Sequence, residues 1–255
     1  LPAGRIPHKS VGTVRKTETC RSSQYSIEVY FGEPSPKSGT IPEGGEHMEN
    51  RVKVYINVRG EGRIPQYASK HAAGCDLFAT MDMVIRPGET KIMPLDFSMA
   101  ADTDLEAQIR PRSGLSLRTQ LRIPNSPGTV DSDYRDTVGV ILQNTYNIAN
   151  LPYQIAADPG LLDELKDNYE EVDLGTYLAR HCGITVPGEA APAVMSQKLY
   201  IDKQGNPYGT IYIKKGERIA QMIFCEYKQA EFIPHPDPRS IGEDRGGGFG
   251  HTGSK

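Results

Sequence analysis

What this sequence lacks narrows the field first. Its 255 residues hold four cysteines, Cys20, Cys75, Cys182 and Cys225, too widely spaced for any CxxC pair. The six histidines are scattered with no HxxxH spacing, so the thiolate and imidazole sets of a zinc site are missing. The thiols read as reduced and mostly buried, as in a cytoplasmic protein. No apolar run approaches the ~18 residues of a membrane helix, and the opening LPAGRIPHKS has no apolar stretch of the signal-peptide kind. With a formal net charge of only -3, no global basic field attracts nucleic acid. A polyanionic ligand must therefore be met by locally placed Arg and backbone N–H groups. No internal repeat of fixed period is present.

What is there suggests a soluble chain with a modest core, 37% hydrophobic and 24% charged. The length suits one large domain or a small core carrying extra lobes. Residues 1–50 are rich in Gly, Pro, Ser and charge. They read as an extended or partly disordered N-terminal extension, with SIEVYF (26–31) as a possible extra strand. From Val52 the pattern changes to short β-type runs punctuated by turns. These are VKVYINV (52–58), DMVIRPGET (82–90), KIMPLDFSMA (91–100), EAQIRPR (106–112), VGVILQN (138–144), GTIYIKK (209–215) and AQMIFCEY (220–227). Many short strands between Gly, Pro and Asp turns predict an all-β barrel or sandwich. The segment 158–183 departs from this. Leu161, Leu162, Leu165 and Tyr169 have helical spacing after an Asp158–Pro159 start signal, and Gly175 interrupts the run. It predicts one helix or two short ones, inserted into the sheet architecture.

Five segments stand out chemically: AAGCDLFA (72–79), RPRSGLSLR (110–118), NSPGTVDSDYRD (125–136), GERIAQMIF (216–224) and RGGGFGHTG (245–253). Gly beside Ser, Thr and Arg is the chemistry of an anion cradle. Glycine lets backbone N–H groups approach phosphate oxygens, and guanidinium and hydroxyl groups complete the shell. Each segment alone has a plainer explanation. RSGLS makes a β-turn, Asp-Ser-Asp and Asn-Ser-Pro-Gly are good turn material, and RGGGFGHTG makes a flexible tail.

In this order, from about Val52 to the C-terminus, the five segments strongly resemble the motifs of the trimeric dUTPases, with IPQYAS (64–69) echoing the phrase before the first. That resemblance implies an all-β, jelly-roll-like barrel of the dUTPase type that forms a homotrimer. It implies Mg²⁺-dependent hydrolysis of dUTP to dUMP and pyrophosphate, which limits uracil in DNA and supplies dUMP for thymidylate synthesis. By motif position, Asp131 orients and deprotonates the attacking water, and Asp133 is structural. Tyr134 lies against the deoxyribose and leaves no room for a 2′-hydroxyl. Asn125 reads the uracil edge at a hairpin whose backbone Gly128 lets approach the base, and Phe249 stacks over the base. Arg112, Ser113, Gly114, Gln221, Arg245, Gly250 and Thr252 contact phosphate. Asp76 supports the site and a metal-bound water, by itself or through a salt bridge to Arg112, whereas Arg218 reads as pairing within the strand framework. Mg²⁺ is held largely by phosphate oxygens and water, so no direct protein ligand is expected.

Two departures from the family pattern matter. Arg245 and Phe249 are separated by three glycines where four residues are usual, which puts the Arg245 contact in doubt. An insertion at about 147–207 replaces a short connection, and it reads as a packed helical lobe with a possible protein-partner surface. The chain from 51 to 255 is thus expected to be one domain, interrupted by the insertion and ending in a mobile Gly-rich arm at 243–255. Neither nucleic acid nor membrane is an expected partner, and the expected compartment is the cytoplasm, or the host cytoplasm or nucleus for a viral source. The rival readings are a dCTP deaminase, alone or bifunctional, on the same fold, and a regulatory protein acting through the insertion.

Overall fold

The computed structural model describes residues 51–185, 187–189, 192, 197–244 and 246. SIEVYF lies outside them. The strands in chain order are β1 (Val54–Val58), β2 (Gln66–Tyr67), β3 (Cys75–Phe78), β4 (Met83–Ile85), β5 (Thr90–Pro94), β6 (Phe97–Ala101), β7 (Leu105–Arg110), β8 (Leu121–Arg122), β9 (Gly128–Val130), β10 (Gly139–Asn144), β11 (Glu170–Asp173), β12 (Lys198–Ile201), β13 (Ile211–Ile213) and β14 (Arg218–Glu226). The largest sheet has the order β2-β3-β14-β7-β9, and β5-β10-β8, β1-β6 and β13-β4 complete the barrel. Strands β3, β7 and β10 alternate buried and half-exposed residues, the period of two that puts every second side chain into one core. That core takes Leu77, Ile85, Met93, Ile109, Leu142 and Met222 from three of the sheets. Each such side chain contributes about 1.5–3 kcal/mol on burial.

Helix α1 (Ser113–Arg118) lies between β7 and β8, where the sequence suggests only a turn. Between β10 and β13 the chain builds a separate lobe: a 3₁₀ turn at Ile148–Asn150, then α2 (Leu151–Ala157), α3 (Gly160–Asn168), β11, α4 (Leu174–Tyr177) and β12. The helical reading of 158–183 fits α3, where Leu165 is buried and the Asp158 carboxylate accepts from Gly160 N at 3.1 Å. It fails at Glu170–Asp173, which pairs antiparallel with Lys198–Ile201. The lobe is therefore mixed in structure rather than helical. Its core is its own, with Val172, Tyr177, Leu199 and Ile201 packed together and flanked by Ile148, Leu174 and Leu178.

Polar groups fasten this lobe to the barrel. Asn144, at 0% exposure, ends β10. Its Nδ2 donates to Ile85 O at 2.9 Å and Gly209 O at 2.8 Å, and its Oδ1 accepts from Tyr146 N at 3.0 Å. One side chain thus joins the lobe's two stems to β4. Gly209 has φ +86° and a Cβ there would overlap the Tyr146 ring, so both its conformation and its neighbour demand glycine. Asn206, also buried, accepts from Arg86 Nε at 3.0 Å and donates to Tyr212 Oη at 2.8 Å.

Candidate functional site

Two groups of the predicted residues occupy the largest sheet. The first forms around Asp76. Cys75 and Leu77 point into the core, so Asp76 between them faces the other way. Its side chain is only 13% exposed, and it binds Arg112 Nε at 2.9 Å and Arg218 Nη1 at 3.1 Å. A carboxylate this enclosed is held by paired charge. Arg218, read from sequence as pairing within the strand framework, does so by reaching across from β14 to Asp76 on β3. The pairing joins positions 142 apart, which no local pattern announces. Arg112 Nη1 also donates to Arg218 O at 3.3 Å.

Gln221 sits opposite Asp76 in the β14–β3 register. It donates through Nε2 to Pro111 O at 2.8 Å, so it fixes the turn that carries Arg112. An ideal Cβ on Gly74 would lie 2.6 Å from Gln221 Oε1, so glycine makes room for this side chain. Ser113 stands exposed and Gly114 half-buried at the start of α1, where the Arg112 carbonyl accepts from Leu115 N at 3.1 Å and Ser116 N at 3.0 Å. The cluster brings two guanidiniums, one carboxylate, a hydroxyl and an amide to one rim, a net positive rim suited to an anion.

The second group follows β9. Gly128 is buried opposite Ile109, and an ideal Cβ on it would come 2.8 Å from Asn125 Nδ2. The missing side chain lets the exposed Asn125 amide fold against its own hairpin. Asp131 is exposed just past β9, and its carbonyl accepts from Tyr134 N at 3.1 Å. The Tyr134 ring is 42% exposed, with its hydroxyl on Thr137 O at 3.1 Å. Among the described residues, neither the Asp131 nor the Asp133 carboxylate is spent on a hydrogen bond within the turn, so both are open to solvent and ligand.

Within one chain Asp131 and the Arg112 turn lie toward opposite ends of β7. Val130 lies opposite Ala107 near the start of β7, and Arg112 lies two residues past its end. Asp131 lies beyond Val130 in the other direction. Arg245, Phe249, Gly250 and Thr252 lie outside the described residues. Also among the described residues, no three His, Cys, Asp or Glu side chains converge to hold a metal, and no helix is long and apolar enough to cross a membrane. Cys75 is buried, Cys225 half-buried and Cys182 exposed, all three free, so burial of the thiols is less general than their spacing suggests. Burial pushes the Cys75 thiol up from its ordinary range, which keeps it protonated and unreactive.

Comparison with known proteins joins these observations. A dUTPase family model matches residues 60–150, which take in Asp76, the Arg112–Gly114 turn and the whole 125–136 segment. Through this region the chain is similar to the dUTPase family. Deoxyuridine 5'-triphosphate nucleotidohydrolase of Clostridium tetani is 42% identical over 96 residues, covering 38% of this chain and 66% of that protein. The same enzyme of Rickettsia felis is 45% identical over 96 residues, covering 37% and 65%. The matches thus span just under two thirds of these relatives' length. Among solved structures, the dUTPase of Staphylococcus bacteriophage 80alpha with dUPNHPP superposes at a TM-score of 0.54 with 20% identity, over 79% of this chain and 99% of that one. The dUTPase of phage phi11 of S. aureus, whose structure visualises a species-specific insert, superposes at 0.50 with 18% identity, over 74% and 99%. At those identities the likeness is one of fold, the all-β dUTPase fold.

Proposed function

We propose that this chain hydrolyses dUTP to dUMP and pyrophosphate. The observation that carries the reading is the Asp76–Arg112–Arg218 cluster joined to Ser113, Gly114 and Gln221, on the same sheet as an unencumbered Asp131 beside Tyr134. Asp131 takes a proton from water as the water oxygen bonds to phosphorus. The anhydride P–O bond then breaks and its electrons leave with pyrophosphate. A positioned general base contributes ~10²–10⁴-fold to such a step. Arg112, Ser113, Gly114 and Gln221 hold the phosphates and spread the developing charge. Asp76 orients Arg112 and keeps lone pairs free for water. Asn125 and the Gly128 backbone read the base, and Tyr134 closes the space a 2′-hydroxyl would fill.

Both Asp76 oxygens are engaged by arginine, a donor set that fits a Mg²⁺ ion carried on phosphate oxygens and water rather than caged by protein. When bound, the ion would supply charge neutralisation on the triphosphate, and Asp76 would hold its waters. The placing of Asp131 and the Arg112 turn toward opposite ends of β7 favours a homotrimer in which the phosphate turn of one copy meets the 125–134 segment of another. The arm with Arg245, Phe249, Gly250 and Thr252 then closes the site, and the 147–207 lobe offers a surface for a protein partner.

The deciding experiment is pyrophosphate release from dUTP, UTP, dCTP and dTTP, with and without Mg²⁺. Release from dUTP alone, dependent on Mg²⁺, is expected. Ammonia release from dCTP at a comparable rate would sink the reading in favour of a deaminase.

A further inference from the structure

Six cations on the barrel are held in ion pairs. Lys214 binds Asp82, Lys215 binds Glu61, Arg86 and Lys91 share Glu89, and Arg112 and Arg218 share Asp76. Arg118 differs. Among the described residues its guanidinium has neither a carboxylate nor a hydrogen-bond acceptor. It ends α1, and helical side chains lean toward the helix N-terminus, so residue i covers the turn at i−4. The structure shows that geometry. An ideal Cβ on Gly114 would lie 3.2 Å from Arg118 Nη1 and 3.5 Å from Nη2. The guanidinium therefore rests where residue 114 has no side chain, one turn from Arg112 and Ser113.

The ordinary role for an arginine in a last helical turn is to serve the carbonyls left open there. In α1 that role is filled by another residue. Arg122 Nη1 donates to Thr119 O and Leu121 O at 2.8 Å each and to Ser116 O at 3.2 Å. Arg118 is thereby left free to reach back to the rim. Charge points the same way, because Asp76 cancels one of its two arginines and leaves that trio at one net positive charge. Arg118 adds an uncompensated second charge beside the phosphate turn.

Resting on the dUTP-hydrolase reading, we propose that Arg118 is a further phosphate-binding residue, engaging the pyrophosphate portion of the substrate across the bare backbone of Gly114. It is a charge donor to phosphate oxygens, separate from the water-activating group. Its loss should weaken polyphosphate binding and spare the nucleoside.

The test is equilibrium binding of inorganic pyrophosphate, dUMP and the non-hydrolysable dUPNHPP to wild type, Arg118→Gln and Arg118→Lys. Arg118→Gln should weaken pyrophosphate and dUPNHPP by about tenfold, as for loss of one charge-assisted hydrogen bond, with dUMP changed less than twofold. Arg118→Lys should stay within about threefold of wild type on both polyphosphate probes. The side chain is exposed, so unchanged thermal midpoints are expected, and the lysine variant serves if the glutamine one misfolds. Unchanged affinity of Arg118→Gln for both polyphosphate probes overturns the proposal, as does an equal loss for dUMP. A wild type that binds pyrophosphate but neither dUMP nor dUPNHPP refutes the dUTP reading, and the pyrophosphate arm still decides Arg118.

Discussion

The barrel and the inserted lobe are stabilised in different ways. The barrel's core is continuous, drawn from strands of several sheets, with Leu77, Ile85, Met93 and Leu142 sealed from solvent. The lobe's cluster of Val172, Tyr177, Leu199 and Ile201 is small, and cores of that size rarely hold a fold alone. Its attachment is correspondingly polar: Asn144, Asn206, Arg86 and Tyr212 form its base, and Thr145 at its entry donates to Gln120 O at 3.0 Å just past α1. Chemistry-bearing residues lie on the barrel, where packed strands hold them to fixed register. The lobe is ordered through directional bonds whose loss should release it without dissolving the sheet beneath.

The comparison can be broken or sharpened in three ways. The largest effect should be catalytic and confined to the barrel. Asp131→Asn should lower pyrophosphate release by about 10³-fold, within the range for a general base, and leave dUPNHPP affinity within a few-fold. Turnover near wild type would show that another group activates the water. Next comes the joint between the two regions. Asn144→Ala strands the buried carbonyl of Ile85 and the half-buried one of Gly209 and should cost about 2–6 kcal/mol, each unmet group costing about 1–3 kcal/mol. Denaturant melts should show the loss, and hydrogen exchange should place it at 144–146 and 208–209 before β7 or β14. Equal loosening of β7 would make barrel and lobe one cooperative unit.

The smallest effect should appear at alkaline pH. Burial, together with a short hydrogen bond to Asp202, pushes Tyr212 up to about 12 from its usual 10.0. A phenol whose folded value is raised favours its neutral form, so its stabilisation is complete below pH 10 and is lost as pH rises through about 12. Burial raises Tyr146 as well, so ultraviolet titration should show several late-ionising tyrosines and one fewer in Tyr212→Phe, with loosening of the lobe base over the same window. Ionisation of every tyrosine near the ordinary value would remove Tyr212 from the joint.

The strands of the barrel were legible because alternation is local. KIMPLDFSMA, EAQIRPR and VGVILQN each carry the period of two that β5, β6, β7 and β10 display. Helix α1 was hidden by Ser113 and Gly114, residues whose intrinsic preference favours turns. Strand β11 was hidden for another reason. Glu170–Asp173 continues the helical spacing of Leu161, Leu165 and Tyr169, while its partner begins at Lys198, too far along the chain for periodicity to register.

The sequence by itself determined that this is an all-β chain resembling the dUTPases, and it marked Asp76, Arg112–Gly114, Asn125–Tyr134 and Gln221 as the residues to inspect. Motif order and alternation are properties of neighbouring residues and survive without a fold. Only the tertiary structure decided that Asp76 holds Arg218 as well as Arg112, that Asn144 joins the lobe to the barrel, and that Arg118 is unpaired over Gly114 among the described residues. Each of those depends on where a side chain ends in space, which follows from strand register and helix direction rather than from spacing along the chain.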